Sequence, residues 1–405
     1  MSLTRRIFLK DSALAMVGIG MLPSWLARSA WAQTPGGRKK ILVAIFQRGA
    51  VDGLNVVIPH GERNYYDLRP TIAVPQGQVL DLDGFFGLHP SLRPMLPLWK
   101  DGALAAIQAA GSPDPSRSHF DAQDFMESGT PGNKGTDDGW LNRALGRAHH
   151  PPALSPLRAI AMDAQLPLTL QGAAPAVAIE NLQQFRLGGP EALFASMYDQ
   201  SSDALLRPAG EDTFQALKLV RQLDPGRYQP AAGVEYPNHP LGKSLRQLAQ
   251  LIKADVGVEV AFADVGGWDH HVNEGGAQGQ LASNLAGFGA ALSAFWTDLG
   301  SRQQDVLLVT MSEFGRTVKE NGNRGTDHGH ANVMFVLGGG VKGGKVYGDW
   351  PGLGGDHLYQ NRDLAVTTDF RTVLSEAVER HLGVRDMAQV FPGYQSSGYR
   401  NYLST

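Results

Sequence analysis

Four short, predominantly apolar runs constrain the fold of this chain more tightly than anything else in it: ILVAIF at 41–46, VEVAF at 258–262, VLLVT at 306–310 and VMFVL at 333–337. A brief apolar run bounded by charge and glycine reads as a strand covered on both faces, which is the pattern of a central strand in a parallel sheet. ALAAIQAAG, at 103–111, reads as another strand.

Helical stretches alternate with these strands. Residues 90–99 suggest a short helix, and a second begins near Ser118, with Phe120, Phe125 and Met126 available for its buried side. From Gln278 to Leu299 the apolar positions Leu281, Leu285, Phe288, Leu292, Phe295 and Leu299 recur at intervals of three and four, which makes one helical face. TTDFRTVLSEAVERHLG closes the pattern with a helix whose N-cap is Thr368 or Asp369. The Pro- and Ala-rich stretch 130–250, with helical patches near 190–202 and 210–223, reads as an insertion or cap. The expected class is α/β, a largely parallel central sheet with helices on both faces.

Residues 1–32 read as an address rather than as structure. Arg5 and Arg6, Phe8, Leu9 and Lys10, an apolar stretch, and Ala30-Trp31-Ala32 follow the order of a twin-arginine export signal with a small-x-small cleavage site. Gly18, Gly20, Pro23 and Arg28 interrupt a run already short of the roughly 20 apolar residues a membrane span needs, so no stable anchor is expected after cleavage. The expected location is periplasmic or secreted, and the expected first partner is the twin-arginine export machinery. Removing residues 1–32 takes four basic and one acidic residue from totals of 36 and 39, leaving a net charge of −6. That balance gives no basis for nucleic-acid binding. The remaining chain, 33–405, is long enough for two average domains or one large α/β domain with insertions. Cysteine is absent, so no thiolate is available and any metal must rest on oxygen and imidazole.

In open parallel sheets ligands gather at the carboxyl ends of the strands. Arg48, Asp52 and Asn55 follow the first run; Asp264, Asp269, His270 and His271 follow the second; Ser312, Glu313 and Arg316 follow the third. Asp327, His328 and His330 instead precede the fourth. Carboxylates on neighbouring strand ends repel one another unless a cation lies between them. With imidazole close by, the set suits Zn²⁺, Mn²⁺ or Fe, and an all-oxygen part would suit Mg²⁺ or Ca²⁺, as one ion or two.

FQRGAVDGLN, SRSHFDAQDF, DVGGWDHH, MSEFGRTVKENGNRGTDHGHANVMFVLGG and the closing TTDFRTVLSEAVERHLG together resemble the exported domain of unknown function 1501 family, over nearly the whole chain after residue 32. That family is grouped with the alkaline phosphatase and sulfatase superfamily, so the resemblance implies an alkaline phosphatase-like α/β/α sandwich. It also implies metal ligands at Asp52, at Asp269 with His271, and at His328 or His330, with Glu313 standing in for a superfamily aspartate and Phe314 replacing its neighbouring histidine. Ser118, at a helix start, is the candidate nucleophile, though serine there also serves as an N-cap. His119, Arg48 and Arg316 are candidates to assist with the anion. The expected function is an exported metal-dependent hydrolase of phosphate or sulfate esters. The alternative is a non-catalytic exported protein that keeps the fold and part of the metal site and binds a partner or an anionic polymer.

Overall fold

The structure, a computed structural model, describes residues 39–148, 155–185, 206–396 and 398–404. The export pattern at 1–32 and the helical patch at 190–202 lie outside the described residues. Lys40–Thr405 forms one unit, built in the order β1 (Ile41–Gln47), β2 (Leu104–Gly111), α1 (His119–Ser128), α2 (Trp140–Arg147), β3 (Ala159–Ala161), β4 (Val177–Ala178), α3 (Leu206–Gln222), α4 (Pro240–Lys253), β5 (Val260–Val265), α5 (Gln280–Leu299), β6 (Val306–Met311), β7 (Asn332–Gly338), β8 (Val346–Tyr347), β9 (Thr368–Asp369) and α6 (Phe370–Arg380).

Among the described residues these strands form one nine-stranded sheet in the order β8-β2-β7-β6-β1-β5-β3-β4, with β9 also paired to β2. Every pairing is parallel except the two made by β7, which runs against both β2 and β6. All seven residues of β1 are buried, and its alternation divides them between two cores. Ile41, Val43 and Ile45 pack with α4 and α5, while Leu42, Ala44 and Phe46 pack with α2 and α6. Burial on both faces is what a run without polar residues requires, and it makes the protein an α/β/α sandwich.

Two local expectations need correction. The stretch 130–250, read from the sequence as an insertion or cap, in its described part supplies β3, β4, α2 and α4 to the common sheet and to both helical layers. Phe120, assigned to the buried side of α1, is instead 85% exposed, while Ala122, Phe125 and Met126 carry that side. The 90–99 segment begins as a 3-10 turn, Pro90–Met95, before a short α-helix, Leu96–Lys100.

The C-terminal end of α6 is anchored to the first strand by an imidazole. His381 Nε2 donates to the Ile41 carbonyl at 3.0 Å, and burial pushes its pKa down to about 4. The native state therefore keeps this ring neutral down to about pH 4, whereas the unfolded chain takes up the proton near the ordinary value of about 6.5. Its contribution is complete above about pH 6.5 and is lost as the pH falls toward 4, on the order of 3 kcal/mol. His381→Gln should accordingly lose less stability than the parent between pH 7 and 4.5, as read from urea midpoints. Identical pH slopes would exclude this role.

Candidate metal centre

The carboxyl ends of β1, β5 and β6 lie along one edge of the sheet, and β7, running in the opposite direction, begins at that same edge. Four loops meet there. Leaving β1, Gly49 approaches the turn after β5 so closely that a Cβ on it would stand 3.0 Å from the Asp269 nitrogen, and its φ of +111° favours glycine independently. The turn after β5 is held by Trp268, whose Nε1–H donates to the Val265 carbonyl at 2.9 Å and whose ring meets Phe288 edge-on. Beyond β2, Ser118 caps α1 by accepting from the Asp121 N–H, and His119 is the first residue of that helix.

Three imidazoles converge at this edge. His328 Nε2 lies 3.0 Å from His119 Nε2 and 3.0 Å from His271 Nε2. Asp269 completes the group: its Oδ1 is 3.0 Å from His271 Nε2 and 3.4 Å from His328 Nε2, and its Oδ2 is 3.5 Å from His119 Nε2. His119, Asp269 and His328 offer ligand atoms all within 4.8 Å of one another.

The opposite nitrogen of each ring meets a fixed acceptor. His119 Nδ1 faces Glu313 Oε1 at 2.8 Å, His328 Nδ1 faces the Arg117 carbonyl at 2.9 Å, and His271 Nδ1 faces Asp327 Oδ1 at 3.0 Å. A carboxylate or carbonyl can only accept here, so each Nδ1 carries a hydrogen, and a ring with no second proton turns its Nε2 lone pair inward, toward His328 Nε2 or toward its neighbours. Lone pairs 3.0 Å apart repel unless a proton or a cation lies between them. Nitrogens sharing one tetrahedral Zn²⁺ at about 2.0–2.1 Å would lie about 3.3 Å apart, close to the spacing found. The donor set fits a divalent ion, and the outer acceptors match the partners that orient metal-binding histidines.

Glu313 is the main outer support. Buried to 1% exposure, its Oε1 accepts from the Gly49 N–H, from His119 and from Gln123, while Ser312 Oγ donates to Oε2. Burial alone would raise its pKa, but these bonds, His119's foremost, hold it below the usual carboxylate range. The same Glu313 bond raises His119 against the opposing effect of burial, and burial, reinforced by the neighbouring His119 and Arg316, lowers His328. For Asp269, too, burial works upward, but Arg316 more than reverses it. Phe314 lies behind the rings, its centroid 4.9 Å from that of His119 and 5.0 Å from that of His328.

Other expected site residues have different surroundings. Arg316 is completely buried and spends its guanidinium on the carbonyls of Gly49, Ala50, Trp268 and Thr326 and on Asp269, so it fixes three loops and orients Asp269 rather than facing solvent. Arg48 is bound to Asp264, Glu127 and Gln123. Asp52 gives both oxygens to the buried Arg69, which leaves it outside the imidazole group. Burial works to raise Asp52, but the Arg69 guanidinium outweighs it, for a net decrease. Glu274, buried beside that charge, is driven well above the ordinary range, first by burial and then by Asp52. His330 stacks on Tyr359, centroids 4.3 Å apart, and does not join the convergent nitrogens. Asp327 orients His271, with Asn321 donating to the same oxygen at 3.1 Å.

Reading from sequence missed Arg69, Glu274, Asn321 and Gln123. Only Gln123 had a legible signal: it lies four residues after His119, on the same helical face.

Fold and site together define an α/β/α sandwich protein with a histidine-carboxylate cluster at its strand ends. The chain belongs to the family described as "Protein of unknown function (DUF1501)", which matches residues 89–392. No curated protein matches the sequence. Among solved structures it is similar to a sulfatase from Pseudoalteromonas sp. (12% identity, TM-score 0.41, covering 93% of this chain and 74% of that one). It is also similar to the phosphonate monoester hydrolase of Agrobacterium radiobacter (11%, 0.34, 89% and 79%). A third likeness is to the C-terminal periplasmic domain of EptC from Escherichia coli in complex with Zn (10%, 0.35, 75% and 73%).

Proposed function

We propose that the protein is an exported, metal-dependent hydrolase of phosphate or sulfate esters. The observation that carries this reading is the meeting of His119, Asp269 and His328, whose ligand atoms all lie within 4.8 Å of one another, with His271 Nε2 3.0 Å from His328 Nε2 and every Nδ1 set against an acceptor. His119, His271, His328 and Asp269 would hold the ion, and Glu313, Asp327 and the Arg117 carbonyl would keep the rings oriented. A divalent ion held there supplies a Lewis acid for the oxygens of an anionic ester. Asp269 and His271, with side chains 45% and 39% exposed, leave one side of the cluster open to substrate. The motif resemblance to the alkaline phosphatase and sulfatase superfamily supports the ester class, and the pattern at residues 1–32 supports export. Among the described residues no helix is long and apolar enough to cross a membrane.

A second reading, a non-catalytic exported binder of a partner or an anionic polymer, draws support from two observations. The Ser118 hydroxyl is engaged as a helix cap, and the motif resemblance puts Phe314 where the superfamily has a histidine ligand. Protein recovered after native export should contain a stoichiometric divalent ion and hydrolyse at least one of a chromogenic phosphate monoester, diester or sulfate ester. Turnover should vanish with EDTA and return with Zn²⁺ or Mn²⁺. Stoichiometric metal with no turnover on any of the three would overturn the hydrolase in favour of the binder.

A further inference from the structure

His328, the common neighbour of the other two imidazoles, is held at two points. Its Nδ1 donates to the Arg117 carbonyl at 2.9 Å, and its own carbonyl accepts from Arg362 Nη2. The two arginines are far apart in the chain, yet both turn to one carboxylate. Asp363 Oδ2 accepts from Arg117 Nε at 3.2 Å and from its Nη2, while Oδ1 accepts from Arg362 Nε at 2.8 Å. The Asp363 side chain is completely buried, and its partners among the described residues are these two guanidiniums. Main-chain bonds bring the same short segment against the loop that carries His328, on both sides of it: the Arg362 carbonyl accepts from the Val318 N–H at 3.2 Å and the Leu364 carbonyl from the Ala331 N–H at 3.1 Å.

We propose that Asp363 is a positioning residue of the metal centre, acting through Arg117 and Arg362 to fix the angle at which His328 Nε2 faces His119, His271 and Asp269. The inference rests on the metal-centre reading. Two guanidiniums side by side repel unless an anion lies between them, and a carboxylate taken out of water holds its place only while it is paired and hydrogen-bonded. Asp363 meets both conditions at once, with one oxygen for each arginine. An asparagine there keeps the shape but offers a single acceptor oxygen and no charge, so one arginine is released. Release of Arg117 loosens the main chain whose carbonyl orients the His328 ring, and release of Arg362 frees the His328 carbonyl. Either way the ring keeps its ligand atom and loses its aim.

The test is Zn²⁺ affinity by chelator competition, together with the visible spectrum of Co²⁺-loaded protein. Asp363→Asn should weaken Zn²⁺ binding by about 10–100-fold, the usual effect of losing an outer orienting partner, and should shift the Co²⁺ bands, because coordination geometry changes when one imidazole turns away. Arg362→Met removes a side chain that is 44% exposed and leaves the Asp363–Arg117 pair in place; it should weaken Zn²⁺ binding in the same direction by less, and it decides the question if Asp363→Asn does not fold. Glu62→Ala is the structural control. Glu62 anchors the preceding stretch by accepting from Trp350 Nε1 at 2.7 Å and from the Leu353 N–H, with no bond to His328 or its partners, so its loss should leave Zn²⁺ affinity and the Co²⁺ spectrum unchanged. Parental Zn²⁺ affinity in Asp363→Asn, or in Arg362→Met, overturns the proposal, as does an equal loss of affinity in Glu62→Ala, which would reduce Asp363 to a support of the fold. If the parent protein itself takes up neither ion, the metal-centre reading falls and this role falls with it.

Discussion

His328→Ala should abolish the proposed binding of a divalent ion. His328 Nε2 is the common neighbour of the other two imidazoles, 3.0 Å from each and 3.4 Å from Asp269. Its removal takes away the donor that joins the His119 side of the cluster to the His271 side. Loss of an outer orienting partner typically costs about 10–100-fold in metal affinity, and loss of this central ligand should exceed that range. Mass-spectrometric metal content after dialysis reads the effect directly. His330→Ala provides the contrast, because that ring stacks on Tyr359 away from the cluster and its removal should leave the metal content unchanged. The opposite result, with metal retained in His328→Ala and lost in His330→Ala, would move the centre elsewhere.

Arg69→Met should produce the largest loss of stability. Arg69 is fully buried and donates to both Asp52 oxygens, to Asn55 Oδ1 and to the carbonyls of Thr317 and Val318. Without it, the buried Asp52 loses the guanidinium that holds both its oxygens, with Glu274, whose pKa burial and Asp52 raise, lying next to it. Breaking a buried pair from one side costs about 3–5 kcal/mol, which for a unit of this size lowers Tm by about 4–7 °C. Adding Asp52→Asn should recover more than half of that loss, since the stranded charge is then gone. A single variant within about 1 kcal/mol of the parent would show that the pair does not stabilise the fold.

These two outcomes also mark where the sequence is informative and where it is not. The central strands are legible because burial on both faces demands a continuous apolar run, and β1, β6 and β7 are each buried from end to end. Asp269, His271 and Glu313 are legible because they follow strands. His328 precedes one, which looks anomalous until β7 is seen to run antiparallel to its neighbours; its entry then coincides with their exits. Asp52 is harder, because in sequence it is indistinguishable from Asp269. What separates them is which arginine reaches each one: Arg69 takes both Asp52 oxygens, whereas Arg316 leaves one Asp269 oxygen free to face His119. Such pairings depend on tertiary approach across up to 47 residues of chain and leave no local pattern. Phe120 misleads for a related reason, since apolar spacing cannot show that the first turn of α1 stands at the mouth of a site. The 130–250 stretch is obscure because the strands it contributes are only three and two residues long.

The reversed direction of β7 has an evolutionary corollary. Residues 312–331 leave the sheet and re-enter it on the same side, so Glu313, Arg316, Asp327 and His328 travel together on one excursion whose two feet are neighbours. Insertion, deletion or exchange within that excursion can remodel one histidine of the cluster and three of the residues that orient it without shifting any strand, and variation among relatives in what they bind should concentrate there.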